Sequence, residues 1–459
     1  MDLLSLRALP FLTRRNYYYE VKHLLFWSVL VGVVEGQFGS VVVSRTFDGS
    51  DVMIAVASAT PNGAMLFSLV WGMLCVGRPK VRVAMGFASG AALCTGLIGL
   101  IPDSPAGAVW FICQLAAAQV LVAAVVTVRS AFWKSNYPRS DRGRITARLQ
   151  GLRFLISVLT VLGAAAICDK DPESYRWIFP AAALCGATSA GLLSRLHIRG
   201  EQRELARNSH PPVKGDLRTD FIEPFSLTAL LSPGQVIGQM MRVLRDDRRF
   251  ARYCAAQSLM GLANFLTIPV LVAVVTRELP HSDAWGFWVS TAIIVALPQL
   301  TMLGTIGRWG RFLDRFGVVR LRVLNVASWT ASLLFGMFAT LVALHPEEFG
   351  GAGLPLALAL FAVRSLLAGL GRGGGAIAWN IGHLHFARNE LAEVYMGIHV
   401  SLTGIRGLLG PLVGMWLWRQ IGWPVWLVAV ACSTVSLVMY IVMARLEPRA
   451  PDTSHVRQV

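Results

Sequence analysis

The stretch His23–Ser44, HLLFWSVLVGVVEGQFGSVVVS, runs for twenty-two residues with one acid, Glu35, and no Lys or Arg. At about 1.5 Å of rise per residue such a helix spans a hydrocarbon layer of about 30 Å. Similar apolar runs follow near 52–76, 83–102, 107–133, 145–168, 175–194, 252–276, 284–306, 320–344, 353–380, 395–418 and 423–444. They are continuous rather than alternating, which predicts helices and not barrel strands. Over the whole chain, hydrophobic residues make up 54% and charged residues 15%, where soluble domains carry about a quarter charged. Mean hydropathy is +0.55. A water-soluble globule is thereby excluded. The seven Cys are scattered without a CxxC pair, which leaves no basis for a disulfide framework or a zinc site.

Charge then orients the runs. The net charge is +16, from 42 Lys+Arg against 26 Asp+Glu. With both termini on one side, that side holds 32 Lys and Arg against 5 on the other, residues at run ends being counted with the adjoining loop. Basic residues gather in cytoplasmic loops, so both termini are expected in the cytoplasm and no nucleic-acid partner is expected. Residues 1–22 read as a cytoplasmic amphipathic N-terminus rather than a cleavable signal, because Arg7, Arg14, Arg15 and Lys22 interrupt it, with Tyr17, Tyr18, Tyr19 and Trp27 suited to the interface. A polar, basic segment, 195–251, divides the chain, and Ser232–Arg249 within it has the pattern of a membrane-surface helix. The expected organisation is 23–194 as one six-helix bundle, 195–251 as the central loop, 252–445 as a second six-helix bundle, and 446–459 as a cytoplasmic tail.

The two halves echo each other. Gly151-Leu-Arg153 in the fifth run matches Gly404-Ile-Arg406 in the eleventh. Gly32-Val-Val-Glu35 matches Gly261-Leu-Ala-Asn264, and Trp71-Gly72 matches Trp309-Gly310. Two six-span repeats predict an all-α membrane protein, twelve transmembrane helices in two pseudo-symmetric bundles, with a site between them.

Between the eighth and ninth runs stands Gly310-Arg311-Phe312-Leu313-Asp314-Arg315-Phe316-Gly317, followed by Arg320 and Arg322. This resembles the loop motif of the major facilitator superfamily, Gly-x-x-x-Asp-Arg-x-Gly followed by basic residues. The resemblance extends over about 20–445 and departs at the first-half copy, Gly72–Lys80, which lacks the Asp. It implies the same two-bundle fold. It also implies that Gly310, Asp314, Arg315, Gly317 and Arg320 form a cytoplasmic gate, in which the acid faces the start of the eleventh span, where a helix N-terminus favours negative charge.

Intramembrane charges are the other candidates. Glu35 lies about 18 Å along its run, and an acid at that depth must be paired, protonated or wet. It is the candidate for proton coupling. Arg129, Arg153, Arg364, Arg372 and Arg406 also lie within runs. Lipid cannot neutralise them, and guanidinium groups suit carboxylates and phosphates. Arg153, Arg406, Arg129 and Arg372 are expected to form a charge network. Arg364 is the leading substrate contact, because the family's tenth span lines the cavity. Asn264, Gln37, Gln119, Gln257, Trp379 and Asn380 are further substrate-binding candidates on the spans that the resemblance places around the path.

No GxSxG, HExxH or GxxxxGK[ST] motif occurs, so no enzyme is expected, nor any cofactor or metal. The function expected is secondary active transport of a small organic solute, of anionic character, by alternating access and coupled to protons. Two rivals are a proton-driven exporter of lipophilic or cationic compounds and a transport-inactive scaffold or sensor. The expected partners are the small-molecule substrate, the proton and membrane lipid. The expected unit is a monomer, in a bacterial inner membrane.

Overall fold

A computed structural model describes residues 11–68, 71, 78–137, 142–202, 233–279, 286–386 and 392–446. The side chains of Asp314 and Asn380 lie outside the described set, as do Gly72 and the two chain ends. Among the described residues every regular element is helical. The N-terminal half contains α1 (Phe11–Val34), α2 (Phe38–Arg45), α3 (Asp51–Gly63), α4 (Lys80–Leu97), α5 (Pro105–Asn136), α6 (Arg142–Cys168) and α7 (Tyr175–Leu193). A connecting helix, α8 (Pro233–Asp246), leads to α9 (Arg248–Ala273), α10 (Gly286–Thr291), α11 (Leu297–Leu344), α12 (Gly353–Ile381), α13 (Ala392–Ile421) and α14 (Val425–Leu446).

Each expected apolar run holds a helix. Among the described residues nine helices are long and apolar enough to cross a membrane, and a tenth results if α1 and α2 form one bent span. α3 is described for thirteen residues only. α7 is nineteen residues long and opens on Tyr175-Arg176-Trp177, whose arginine leaves a shorter apolar stretch. Two sequence runs merge in the 48-residue α11, which breaks at Gly317, where φ is +79°. Only glycine adopts that left-handed geometry without strain, so this glycine of the loop motif is what turns one span into the next.

α1 starts at Phe11, twelve residues before the apolar run. Tyr17 and Trp27 are buried rather than interfacial, while Tyr18 is exposed. Asn16 explains part of this. Its side chain bonds both the carbonyl (2.9 Å) and the N–H (3.2 Å) of His197, tying the start of α1 to the segment after α7. Met240, Val243 and Leu244 of α8 pack on the C-terminal core. Asp247 ends α8 and caps α9, accepting from Arg249 N and Phe250 N, and takes a third hydrogen bond from Tyr395.

Packing follows the halves. α1 lies against α6 and α7, and α4 against α5 and α7; α9 lies against α13 and α14, and α11 against α12 and α14. α3 meets α13 across the divide. Leu93, Leu100, Leu159, Trp177 and Leu184 project outward, each more than 60% exposed, an apolar exterior that only lipid would solvate well.

Candidate functional site

The first span is broken at the acid that marked it. α1 ends at Val34, Glu35 and Gly36 are irregular, and α2 restarts at Phe38, bent by 43°. Gly36 has φ +79°, a conformation that favours glycine. The break frees backbone groups that an intact helix would pair. Gln119 of α5 supplies the missing donor, its Nε2 bonding the Val34 carbonyl at 2.8 Å. Gln37 accepts from Ser40 (3.1 Å) and donates to the Ser58 carbonyl (3.4 Å), holding α2 to α3. Gln119 is therefore committed to the backbone of the break, and Gln37 to joining α2 and α3.

Glu35 forms an ion pair with Arg153 of α6. The glutamate side chain is 33% exposed and the arginine 10%. Both line a small pocket with Val31, Gly32, Phe154 and Ser157 of the same half and Val295 and Gln299 of the other. The pocket thus lies between the bundles, next to a discontinuous helix, the arrangement that lets irregular backbone persist at membrane depth.

A second polar group occupies the C-terminal half. Gln257 of α9 accepts from Arg322 Nη2 (3.0 Å), and its Nε2 lies 3.2 Å from His399 Nε2 of α13. Arg322 also donates to the Tyr253 hydroxyl (3.2 Å) and to Asn325 Oδ1 (3.3 Å). Trp379 of α12 packs beside His399, ring centroids 5.8 Å apart. Arg406 of α13 donates to Ser258 (3.3 Å) and Thr403 (2.9 Å), its Nε buried without a partner. Asn264 donates to Met260 Sδ (3.1 Å), and its Oδ1 is buried and unpartnered. Gln257, Trp379 and Arg406 thus come together here, and Asn264 stands less than two turns from Ser258 along α9. Arg322, which the sequence left as one more basic residue after the loop motif, is 1% exposed at the centre of the group.

The remaining candidates stand apart. Arg364 is 3% exposed, and its Nε and Nη1 have no partner. It shares a helix face with Gly371 and Gly375, which abut Trp329 and Asn325 of α11, so the guanidinium points into the C-terminal bundle and does not line the pocket between the halves. Arg372 lies two turns further along α12 and has no hydrogen bond or ion pair among the described residues. Arg129 pairs with Glu20 at 3.2 Å, both side chains 4% exposed. Trp133 and Tyr137 also donate to Glu20. Glu20 was missed because it precedes the apolar run and stands among Arg15 and Lys22. In the loop motif, Arg315 is exposed and lies over the Phe316 ring. Gly310 and Arg320 are half-buried. Among the described residues no three His, Cys, Asp or Glu side chains group as metal ligands.

A separate cluster joins the halves at the end opposite the start of α1. Asp51 of α3 bridges Arg277 (2.7 Å) and Arg419 (3.3 Å). Asp169, after α6, accepts from the backbone N–H groups of Phe287 (2.6 Å) and Trp288 (2.9 Å) at the start of α10. Ser44 bonds Thr276 (2.7 Å) and Arg45 donates to Ser290 (3.3 Å).

Known structures share this architecture. A point-mutant form of the nucleoside transporter NupG superposes with a TM-score of 0.65 at 16% identity, covering 93% of this chain and 100% of that one. The xylose transporter XylE from E. coli, in a partially occluded inward-open conformation, gives 0.60 at 12% identity over 95% and 98%. A D-xylose-proton symporter gives 0.62 at 12% identity over 92% and 96%. At such identities the likeness establishes the fold alone. No curated protein sequence matches the chain. The sequence profile of the Major Facilitator Superfamily matches residues 24–346, a stretch that takes in the broken first span, the Glu35–Arg153 pair and the Gly310–Gly317 loop. Two helical bundles facing each other across a paired charge, and that profile over most of the chain, make this protein a member of the major facilitator superfamily, a family of membrane transporters and not of enzymes.

Proposed function

We propose that this transporter moves a small organic solute of anionic character by alternating access, coupled to protons through Glu35. The observation that carries the reading is the position of the Glu35–Arg153 pair: at the break in the first span, partly open to a pocket walled by both halves. A proton arriving on Glu35 would cancel its attraction for Arg153. The freed guanidinium would then be available to a carboxylate or phosphate on the cargo. Loss of the proton would restore the pair and expel the anion, so proton and solute would travel together. The anionic character draws support from the C-terminal half, where Arg322, Arg364, Arg372 and Arg406 have no carboxylate partner among the described residues.

The basic loops support placing both ends in the cytoplasm of a bacterial inner membrane. The Gly310–Arg320 loop would then be the cytoplasmic gate, and a single chain would be the working unit. Flux into proteoliposomes under an imposed pH gradient tests the coupling. Organic-anion uptake should follow the gradient in the wild type and lose that dependence in Glu35→Gln. Uptake indifferent to both the gradient and the substitution would remove Glu35 from the coupling.

A further inference from the structure

The pseudo-symmetry of the chain is broken at one pair of charges. In the N-terminal half Arg153 meets the Glu35 carboxylate. The repeat places Arg406 where Arg153 stands and Asn264 where Glu35 stands. Arg406 crosses α9 directly at Gly261, where a Cβ would come within 2.4 Å of its Nε. Asn264 lies three residues on from Gly261, the next position on that helix face. The C-terminal half thus has the arginine but an amide in place of the acid. The surroundings do not make up the lost charge. Arg406 bonds two hydroxyls, and Arg322 of the same polar group bonds a hydroxyl and two amide side chains. Two guanidinium groups without a carboxylate among the described residues, inside an apolar bundle, call for a negative charge from elsewhere. Orphan polar atoms mark the spot: Arg406 Nε and Asn264 Oδ1 are both buried and unpartnered.

We propose that Arg406, backed by Arg322, is a seat for the carboxylate group of the transported solute, which fills in the C-terminal half the position that Glu35 fills in the N-terminal half. This rests on the reading above that the cargo is anionic, and it gives the anionic group a second seat, in the C-terminal half, besides the one that Arg153 offers when Glu35 is protonated. Gln257, His399 and Trp379 belong to the same polar group and would supply neutral hydrogen-bonding and ring surface for the rest of the molecule.

The test is to put the missing acid back. In full-length protein in detergent, Asn264→Glu and Asn264→Asp are compared with Asn264→Gln by thermal melting. At least one acidic variant should melt about 2–4 °C above the Gln variant, and the difference should vanish when Arg406→Gln is added. Benzoate and succinate, set against their amides, serve as probes. They should stabilise the wild type and the Gln variant, with apparent affinity weakened about tenfold or more in the acidic variant, as expected for loss of a charge-assisted contact. Acidic variants that melt at or below the Gln variant, or that fail to fold while it folds, overturn the seat, since the site is then not short of negative charge. A raised melting point that survives Arg406→Gln overturns it as well. Wild-type protein that carries neutral solutes and ignores every carboxylate overturns the anionic reading and the seat with it, whereas carboxylates that bind the wild type and the acidic variants equally well overturn the seat alone.

Discussion

Glu20 and Glu35 both belong to the first span, yet their surroundings assign them different work. Glu20 is 4% exposed and receives Arg129, Trp133 and Tyr137 together. A carboxylate with three donors and almost no exposed surface is a fixed strut, and removing one partner of such a buried pair costs about 3–5 kcal/mol. Glu35 has one guanidinium partner and a third of its side chain open beside a pocket, so it can exchange partners and protons without unfolding its neighbourhood. Tyr137 gives the Glu20 cluster a signature in pH. Burial first, and the adjoining Glu20 carboxylate second, push its phenol above the ordinary value. Below about pH 10 the phenol is neutral in folded and unfolded chains alike, and its stabilising share is complete. As pH rises further the unfolded chain ionises first, and that share is lost. Melting temperature should therefore fall above about pH 10 in the wild type, and fall less steeply in Tyr137→Phe. At neutral pH the same variant should be weaker by about 1.5–3 kcal/mol, the usual worth of a hydrogen bond to a charged group. Equal alkaline slopes in the two proteins would show that Tyr137 does not titrate with unfolding.

The break between α1 and α2 shows what an element can do that a residue cannot. Gly36 supplies the left-handed turn, and Gln119 replaces the helical hydrogen bond that the turn removes. A continuous helix would point Glu35 along a fixed face, whereas the break leaves it in irregular backbone at the pocket. Gln119→Leu leaves the Val34 carbonyl buried without a donor, which costs about 1–3 kcal/mol. That variant should melt lower and transport more slowly, while Gln119→His, which keeps a donor, should recover part of both. Transport unchanged in Gln119→Leu would mean that the break needs no support from α5. The sequence carried Glu35 plainly, because a single acid in a twenty-two-residue run with no Lys or Arg has few bland explanations. It carried Gly317 through the loop motif and the pairing of the halves through short repeats. It did not carry the break, since Gly36 is one of many glycines in apolar runs, nor Arg322, whose charge beside a basic loop reads as topology until packing buries it. Glu20 was hidden for the same reason, its neighbours Arg15 and Lys22 giving the stretch the look of surface.

Across the whole molecule, polar contacts between the halves described above gather at one end. Asp51 holds Arg277 and Arg419, and Asp169 holds the first N–H groups of α10. In both cases the carboxylate comes from the N-terminal half and the positive partner from the C-terminal half. Hydrogen bonds of this charged kind are worth about 1.5–3 kcal/mol each. A difference of about 1.4 kcal/mol already shifts a two-state ratio tenfold, so a few such contacts can hold an alternating-access protein closed at that end. The Asp169 contact is the more informative of the two. Its acceptors lie on a loop and its donors on backbone, so Asp169→Asn alters charge and one set of lone pairs without touching a side-chain partner. Spin labels at Leu100 and Phe349, exposed positions just beyond α4 and α11 in the two halves, report the separation of that end. In Asp169→Asn the distance distribution between them should broaden toward longer values, and combining it with Asp51→Asn should move the main population. Melting temperature should change little, because each bundle keeps its own core and only the contact between bundles weakens. A distribution identical to wild type in the double variant would show that apolar packing of α3 on α13, and not these carboxylates, keeps the end shut.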